Sequence, residues 1–176
     1  MYKFLVHAYD LTKDNRIYLF GFSRGAYTVR AFAAFIADCG IIDSELDDEL
    51  LDQEIKTLVN DYHSTVKKRN KAKKSGDNTK LEVQSAVNCI ELDSIQFIGV
   101  WDAVSAVGVP FDFGFQAFIN ALFKFNFPNR TLNKNVRYAR HALALDDKRK
   151  SFHPLVWNEQ EEAAPEVDSQ PRIKQV

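Results

Sequence analysis

Residues 21–25, GFSRG, constrain the fold of this chain more than any other segment. Residues 16–20 precede them as a short run rich in β formers, typical of a parallel strand buried on both faces. Residues 26–36 follow and predict a helix packed on that sheet, with Gly40 as its C′ residue. A strand, a tight turn and a helix in direct succession predict an α/β fold with a mostly parallel sheet.

The segment GFSRG also matches G-x-S-x-G, the nucleophile elbow of serine hydrolases. Glycine is expected at Gly21 and Gly25 because side chains there would collide with the turn and the helix. Ser23 should then project from the C-terminal edge of the sheet, with the Arg24 backbone N–H directed at a developing oxyanion. The alternative is a coincidental match in a loop. The flanking strand and helix favour the elbow.

A serine nucleophile needs a base, and the base needs a carboxylate that orients it. In the α/β-hydrolase order the acid follows the serine and the histidine follows the acid. Residues 95–101 predict a second buried strand that ends at Asp102, which makes Asp102 the candidate carboxylate. The alternative is an ordinary turn aspartate. Asp93, Asp146 and Asp147 lie in less buried contexts.

Two histidines follow Asp102 in the chain. His141 lies within residues 136–145, which predict a helix, and His153 precedes a proline in a polar loop. Neither position is at the end of a predicted strand. His141 is the candidate base within this chain, and the alternative is a histidine beyond Val176.

The remaining segments predict a helix over residues 1–9, a helical insertion over residues 43–94, an acidic flexible segment over residues 159–171 and a third strand at residues 172–176. The insertion contains a long amphipathic helix over residues 43–74 with acids at its start and bases at its end. The helix macrodipole favours that order. It explains the basic run better than a nucleic-acid or anionic-lipid patch does. Seven phenylalanines in residues 111–127 predict either core or an apolar groove for acyl chains.

Composition excludes several classes of function for this chain. Lys and Arg total 23 and Asp and Glu total 24, so a net charge of −1 provides no field for nucleic acid. Two cysteines, Cys39 and Cys89, are too few and too far apart for a disulfide scaffold or a metal knuckle, which predicts reduced, buried thiols. We see neither a run of about 20 apolar residues nor a signal-peptide core. The expected location is the cytoplasm.

Three ordered segments, GFSRGAYTVRAFA, FIGVWDAVSAVGVP and YARHALALDDKRKSFHPLVW, resemble the signatures of one family. It is the family of α/β-hydrolase-like domains, long labelled as of unknown function, that includes the catalytic domain of type VI secretion phospholipase effectors. The resemblance covers residues 2–176 apart from the insertion. It implies a Ser-Asp-His esterase site with Ser23 and Asp102, an acyl ester or phospholipid substrate, peripheral contact with membranes, and no metal or cofactor.

The chain departs from the family pattern in two places. Family members usually begin with a strand carrying F-D-G-T-x-N, and they continue past the third strand into W-F-x-G-x-H-S-D-x-G-G-G, which supplies a histidine. The resemblance therefore implies a single incomplete α/β-hydrolase domain, truncated at both ends and inactive by itself. The rival expectation is a non-catalytic fragment that acts as an interaction or membrane-surface module.

Overall fold

The computed structural model describes residues 1–10, 12–43, 46–77, 81–103, 132–146, 155–158 and 171–176. The chain divides into two compact units. We call Met1–Asn15 with Phe35–Leu92 the helical unit, and Arg16–Ala34 with Asp93–Val176 the sheet unit. The division into two units does not decide whether the chain is one domain with an insertion at residues 43–94. That organisation stays a prediction.

Among its described residues, the helical unit contains two complete helices, the end of a third that begins in the sheet unit, and a two-stranded antiparallel ribbon. Its elements are α1 (Tyr2–Ala8), β2 (Ile41–Ile42), α3 (Asp48–Lys74) and β3 (Cys89–Ile90), with β2 paired to β3. Its core contains a cluster of three rings, in which Phe35 makes edge-on contacts with Tyr2 and Tyr62 at centroid distances of 5.1 Å each. Cys39 and Cys89 are free thiols and only partly buried, where the sequence predicts buried ones.

The long helix α3 begins at Asp48 rather than at the predicted Asp43. Asp47 caps it, accepting the Glu49 and Leu50 N–H groups at 3.0 Å each. Asp43 instead donates its N–H to the Asn88 carbonyl, which continues the ribbon pairing. The predicted end at Lys74 is confirmed, as is the order of charges, with acids in the first turn and lysines in the last.

In the described part of the sheet unit, four strands form one sheet and pair in parallel. Its strands are β1 (Tyr18–Phe22), β4 (Ile95–Trp101), β5 (Val136–Ala142) and β6 (Ile173–Gln175), in the order β1-β4-β5-β6. Helix α2 (Arg24–Cys39) begins directly after β1, and Gly40 has the left-handed φ of +77° expected of a C′ glycine. The predicted α/β class is confirmed.

Strand β5 corrects a prediction, because residues 136–145 were expected to form a helix. Val136, Ala139 and His141 are the buried residues of this segment. The spacing of three between the first two fits a helix and the spacing of two between the last two fits a strand, so periodicity alone does not decide. Pairing with β4 on one side and β6 on the other satisfies the backbone of β5 and makes it a central strand.

Strand β1 corrects a second prediction, because only one of its faces is buried. Leu19 is buried, whereas Phe20 and Phe22 are 59% and 68% exposed. Together with Tyr18, Phe97 and Trp101 they form what we call the aromatic face, on which the Phe20 ring lies 5.6 Å from Phe97 and 6.4 Å from Trp101. Gly99 leaves room for the Phe20 ring, since a Cβ there would lie 2.9 Å from it.

Candidate active site

The link between β1 and α2 has the backbone geometry of a strained turn. Ser23 occupies it alone, between the last residue of β1 and the first residue of α2, with a φ of +54°. Residues other than glycine rarely adopt this left-handed conformation, which costs about 1–2 kcal/mol. The Ser23 N–H donates to the Trp101 carbonyl at 2.8 Å, which joins the turn to the neighbouring strand β4.

The two glycines of the turn differ in the space around them. A Cβ on Gly21 would lie 2.6 Å from the Gly25 carbonyl oxygen and 2.7 Å from the backbone of Ala26. These are backbone atoms that cannot move aside, so the turn requires glycine at position 21, as the sequence predicts. A Cβ on Gly25 would meet no atom within 4 Å. The predicted collision at Gly25 is therefore wrong for this structure.

Helix α2 starts immediately beside Ser23. Arg24 is its first residue, and the Ser23 carbonyl accepts the Tyr27 N–H at 3.3 Å. The N–H groups of a first helical turn point out of the helix N-terminus and favour negative charge. No acidic side chain occupies the first turn of α2. The placement of Arg24 at the start of α2 is compatible with a role of its N–H as an oxyanion donor. That role stays a prediction.

Asp102 lies one residue beyond the end of β4, at the same edge of the sheet as Ser23. Phe22 pairs with Trp101, and Trp101 pairs with Ala142, so Ser23 and Asp102 each follow the last paired residue of adjacent strands. Such strands are about 4.8 Å apart. The side chains predicted as nucleophile and acid therefore project from neighbouring strand ends.

The Asp102 turn is also strained and is held by bonds to β5. Its φ is +43°, and its N–H donates to the Ala142 carbonyl at 3.0 Å. Its carboxylate accepts the Ala144 N–H at 2.5 Å. Among the other aspartates considered, Asp93 and Asp146 are exposed. The carboxylate of Asp102 therefore has a defined position at the sheet edge.

His141 lies on β5, one residue before its end, and is completely buried. It is paired with Val100 of β4 and with Gln175 of β6. Its Nε2 accepts the Ala103 N–H at 3.2 Å, and its Nδ1 lies 3.3 Å from Gln175 Oε1. Its placement near a strand end differs from the predicted helix. Both ring nitrogens have partners other than Ser23 and Asp102.

Gln175, Trp157 and Arg30 surround His141, and the sequence did not single them out. The Gln175 amide accepts the Trp157 N–H at 2.7 Å and donates to the Trp157 carbonyl at 3.0 Å. The Trp157 ring contacts His141 edge-on at 5.6 Å and carries the Arg30 guanidinium over its face at 4.5 Å. The sequence places Gln175 in the predicted third strand, and this is its one indication of a role for that residue. The strand with which the third strand pairs cannot be predicted from the sequence.

Burial is the main reason that the pKa of His141 lies below its ordinary value. The hydrogen bond to Gln175 opposes this lowering, the positive charge of Arg30 adds to it, and the negative charge of Asp102 opposes it. The balance favours the neutral ring. This matches the hydrogen bonds, since Nε2 faces an N–H donor and must be unprotonated.

Some predictions fall outside the described residues: His153, Asp147, the phenylalanine-rich segment 111–127 and residues 159–170 of the acidic segment. Within the described ranges, no group of three or more His, Cys, Asp or Glu side chains is arranged to hold a metal ion. No helix in that part of the chain is long and apolar enough to cross a membrane.

Comparisons with known proteins agree with the signature segments. The family model described as "T6SS, Phospholipase effector Tle1-like, catalytic domain" matches residues 1–176. The protein YEL023C of Saccharomyces cerevisiae is 28% identical over an alignment of 163 residues. The match covers 88% of this chain. The chain spans 20% of the length of that relative. No solved structure matches the chain.

Proposed function

The chain belongs to the family of Tle1-like phospholipase effector catalytic domains of the type VI secretion system, and from this premise we propose that it carries a serine ester hydrolase site on an α/β-hydrolase core. Ser23 is the nucleophile, and Asp102 is the carboxylate that orients the base. The Arg24 N–H at the start of α2 is one donor to the oxyanion. The substrate is an acyl ester, with phospholipid as the first class to test.

The observation that carries this proposal is the strained Ser23. A link between a strand and a helix does not by itself need a positive φ at a residue with a side chain, and such strain is concentrated at functional sites. Here the strained residue is the serine of G-x-S-x-G, and Gly21 is the glycine that lets α2 begin close to β1. Ser23 is only partly buried, as the proposal requires.

In the proposed reaction, Ser23 Oγ attacks the ester carbonyl carbon while the base takes the hydroxyl proton. The tetrahedral intermediate places its negative charge at the N-terminus of α2. It collapses by breaking the bond to the alcohol oxygen, and the base returns the proton to the leaving alcohol. A water molecule then attacks the acyl-Ser23 ester through the same steps, which releases the acid and restores the serine.

The identity of the base stays a prediction. The sequence predicts His141, with a histidine beyond Val176 as the alternative. His141 already uses Nε2 to accept the Ala103 N–H and Nδ1 to contact Gln175. To act as the base, His141 would have to break the hydrogen bond that its Nε2 accepts from the Ala103 N–H. The roles proposed for Ser23 and Asp102 hold for either histidine.

The aromatic face supports a lipid ester as substrate. Phe22 immediately precedes Ser23 and Trp101 immediately precedes Asp102, and their side chains are 68% and 47% exposed. Exposed rings of this kind, next to the proposed nucleophile, offer apolar surface on which acyl chains would be removed from water. We therefore expect esters of longer acyl chains to react faster than acetate esters.

The test is labelling with an active-site-directed fluorophosphonate, followed by mapping of the adduct by mass spectrometry. We expect the adduct on Ser23 and its loss in Ser23→Ala. Ser64 is the matched control, because it is an exposed serine on α3. Ser64→Ala should label as the unchanged chain does. Labelling of Ser23 no faster than Ser64 would contradict the proposal and favour the non-catalytic fragment.

Hydrolysis assays then test the substrate class. p-Nitrophenyl esters of increasing acyl length and phospholipid vesicles are compared between the unchanged chain and Ser23→Ala. Binding to anionic vesicles that persists in Ser23→Ala, without hydrolysis by the unchanged chain, would instead favour a membrane-surface module.

A further inference from the structure

We infer that His141 is a positioning residue, which holds the Asp102–Ala103 turn through its Nε2 and does not serve as the general base. The inference rests on the proposed function, since it gives Asp102 its catalytic value. Its evidence is the set of hydrogen bonds made by the turn and by the imidazole ring, all within the sheet unit.

The turn is tied down on both sides of the Asp102–Ala103 peptide. Asp102 donates its N–H to Ala142 and accepts the Ala144 N–H with its carboxylate. Ala103 is completely buried, and its carbonyl accepts the Leu155 N–H at 2.6 Å. The Ala103 N–H therefore needs an acceptor in a place that water does not reach, and His141 Nε2 supplies it.

Losing this acceptor would affect Asp102 directly. A buried N–H without a partner is costly, and the turn relieves that cost by changing its backbone angles. Asp102 holds a left-handed φ of +43°, and a change to a more common conformation would recover part of the free energy that this φ costs. Such a change would move its carboxylate away from the Ala144 N–H and from the strand end beside Ser23.

Gln175 sets the tautomer that makes this hydrogen bond possible. Its Oε1 accepts the Trp157 N–H, and its amide N–H donates to the Trp157 carbonyl, so the orientation of the amide is determined by the backbone. Oε1 therefore faces His141 Nδ1 as an acceptor, and Nδ1 must carry the proton. Nε2 is left with the lone pair that the Ala103 N–H requires.

The same surroundings oppose a role as base. A general base must carry a second proton during the reaction, and an Nε2–H would then face the Ala103 N–H, donor against donor. Arg30, on α2, adds a positive charge nearby, and Asp102, after β4, adds a negative one. Burial outweighs that carboxylate, so the pKa of His141 is lowered. The site stabilises a neutral ring that accepts a hydrogen bond.

Two variants of His141 separate the roles. Gln at position 141 can place an amide oxygen near the position of Nε2 and accept the Ala103 N–H, but it cannot act as a base. Leu fills similar space and accepts nothing. For a positioning role we expect His141→Leu to slow fluorophosphonate labelling of Ser23 by roughly 10- to 100-fold, the scale of a misplaced catalytic group. His141→Gln should recover most of that rate with an unchanged pH profile.

The reverse pattern would overturn the inference. If His141 is the base, His141→Gln should be as slow as His141→Leu, by about 10²- to 10⁴-fold. Gln175→Glu is an independent test that keeps the imidazole. A carboxylate beside Nδ1 strengthens a base but favours protonation of the ring, which breaks the bond to Ala103. A positioning role for His141 predicts slower labelling of Ser23 in Gln175→Glu. Faster labelling would overturn that role.

Amide hydrogen exchange makes the test independent of catalysis. We expect the Ala103 and Ala144 amides to exchange faster in His141→Leu and to stay protected in His141→Gln and in Ser23→Ala. If the unchanged chain does not label at Ser23, the proposed function fails while this measurement still judges the role of His141. Unchanged exchange at Ala103 in His141→Leu would overturn the inference even if labelling succeeds.

Discussion

Replacing Gly21 by alanine tests whether the close approach of α2 to β1 is required by the elbow. The new Cβ would lie 2.6–2.7 Å from three backbone atoms of Gly25 and Ala26. Forcing an added carbon into a packed site costs about 1–3 kcal/mol. Alanine also restricts the unfolded chain, which stabilises the folded state by about 0.4–1 kcal/mol where the backbone tolerates it.

Gly25→Ala is the matched control, because it changes the unfolded chain in the same way and meets no atom within 4 Å. The difference between the two variants therefore isolates the steric cost. We expect Gly21→Ala to be less stable than Gly25→Ala by about 1–3 kcal/mol. For a chain of this size that corresponds to roughly 2–12 °C in melting temperature.

The assay is urea unfolding of both variants and the unchanged chain, followed by circular dichroism, with fluorophosphonate labelling measured in parallel. Gly21→Ala should also lose labelling, because relief of the contact displaces Ser23. Equal stability and equal labelling in the two variants would refute the argument that Gly21 allows the elbow to form.

Three further predictions concern Ser23, Asp102 and His141. Ser23→Gly should recover about 1–2 kcal/mol of left-handed strain and lose about 0.4–1 kcal/mol because glycine makes the unfolded chain more flexible. We therefore expect a net gain of up to about 1.5 kcal/mol in urea unfolding and no gain in Ser23→Ala, and a Ser23→Gly variant less stable than the unchanged chain would argue against strain. Asp102→Asn keeps an acceptor for the Ala144 N–H and tolerates the positive φ, so we expect near-normal stability with slower labelling of Ser23; labelling at the normal rate would remove Asp102 from the site. Because the pKa of His141 is lowered from its ordinary 6.5, its neutral form stabilises the fold fully above that pH, and this stability is lost as the pH falls below it. The free energy of unfolding, measured by urea titration from pH 8 to pH 5, should fall more for the unchanged chain than for His141→Gln, by up to about 1.4 kcal/mol per pH unit, and parallel curves would contradict this.

Much of the site could be predicted because its signals are local. The segment GFSRG carries its own strand, turn and helix, and the structure has all three, with the predicted glycine requirement at Gly21. The strand that ends at Trp101 was predicted with the bounds that the structure has, since an apolar run that ends in an aspartate is a local pattern. The roles of Ser23 and Asp102 in catalysis stay predictions.

Other features could not be read from the sequence because they depend on neighbours distant in the chain. The exposed aromatic face was one, since an apolar strand shows the same residues whether one face or both are covered. The environment of His141 was another. Val100, His141 and Gln175 are far apart in sequence, and only the parallel register of three strands places them side by side.

The sequence by itself determined the succession of strand, turn and helix around Ser23, the α/β class and the long helix that ends at Lys74, because each has a pattern that is local in the chain. The tertiary structure alone decided that residues 136–142 form a strand, since hydrogen bonds to β4 and β6 outweigh a pattern that also fits a helix. It also decided which atoms meet His141. A hydrogen bond from the buried Ala103 amide to a ring on another strand exists only once the sheet has formed.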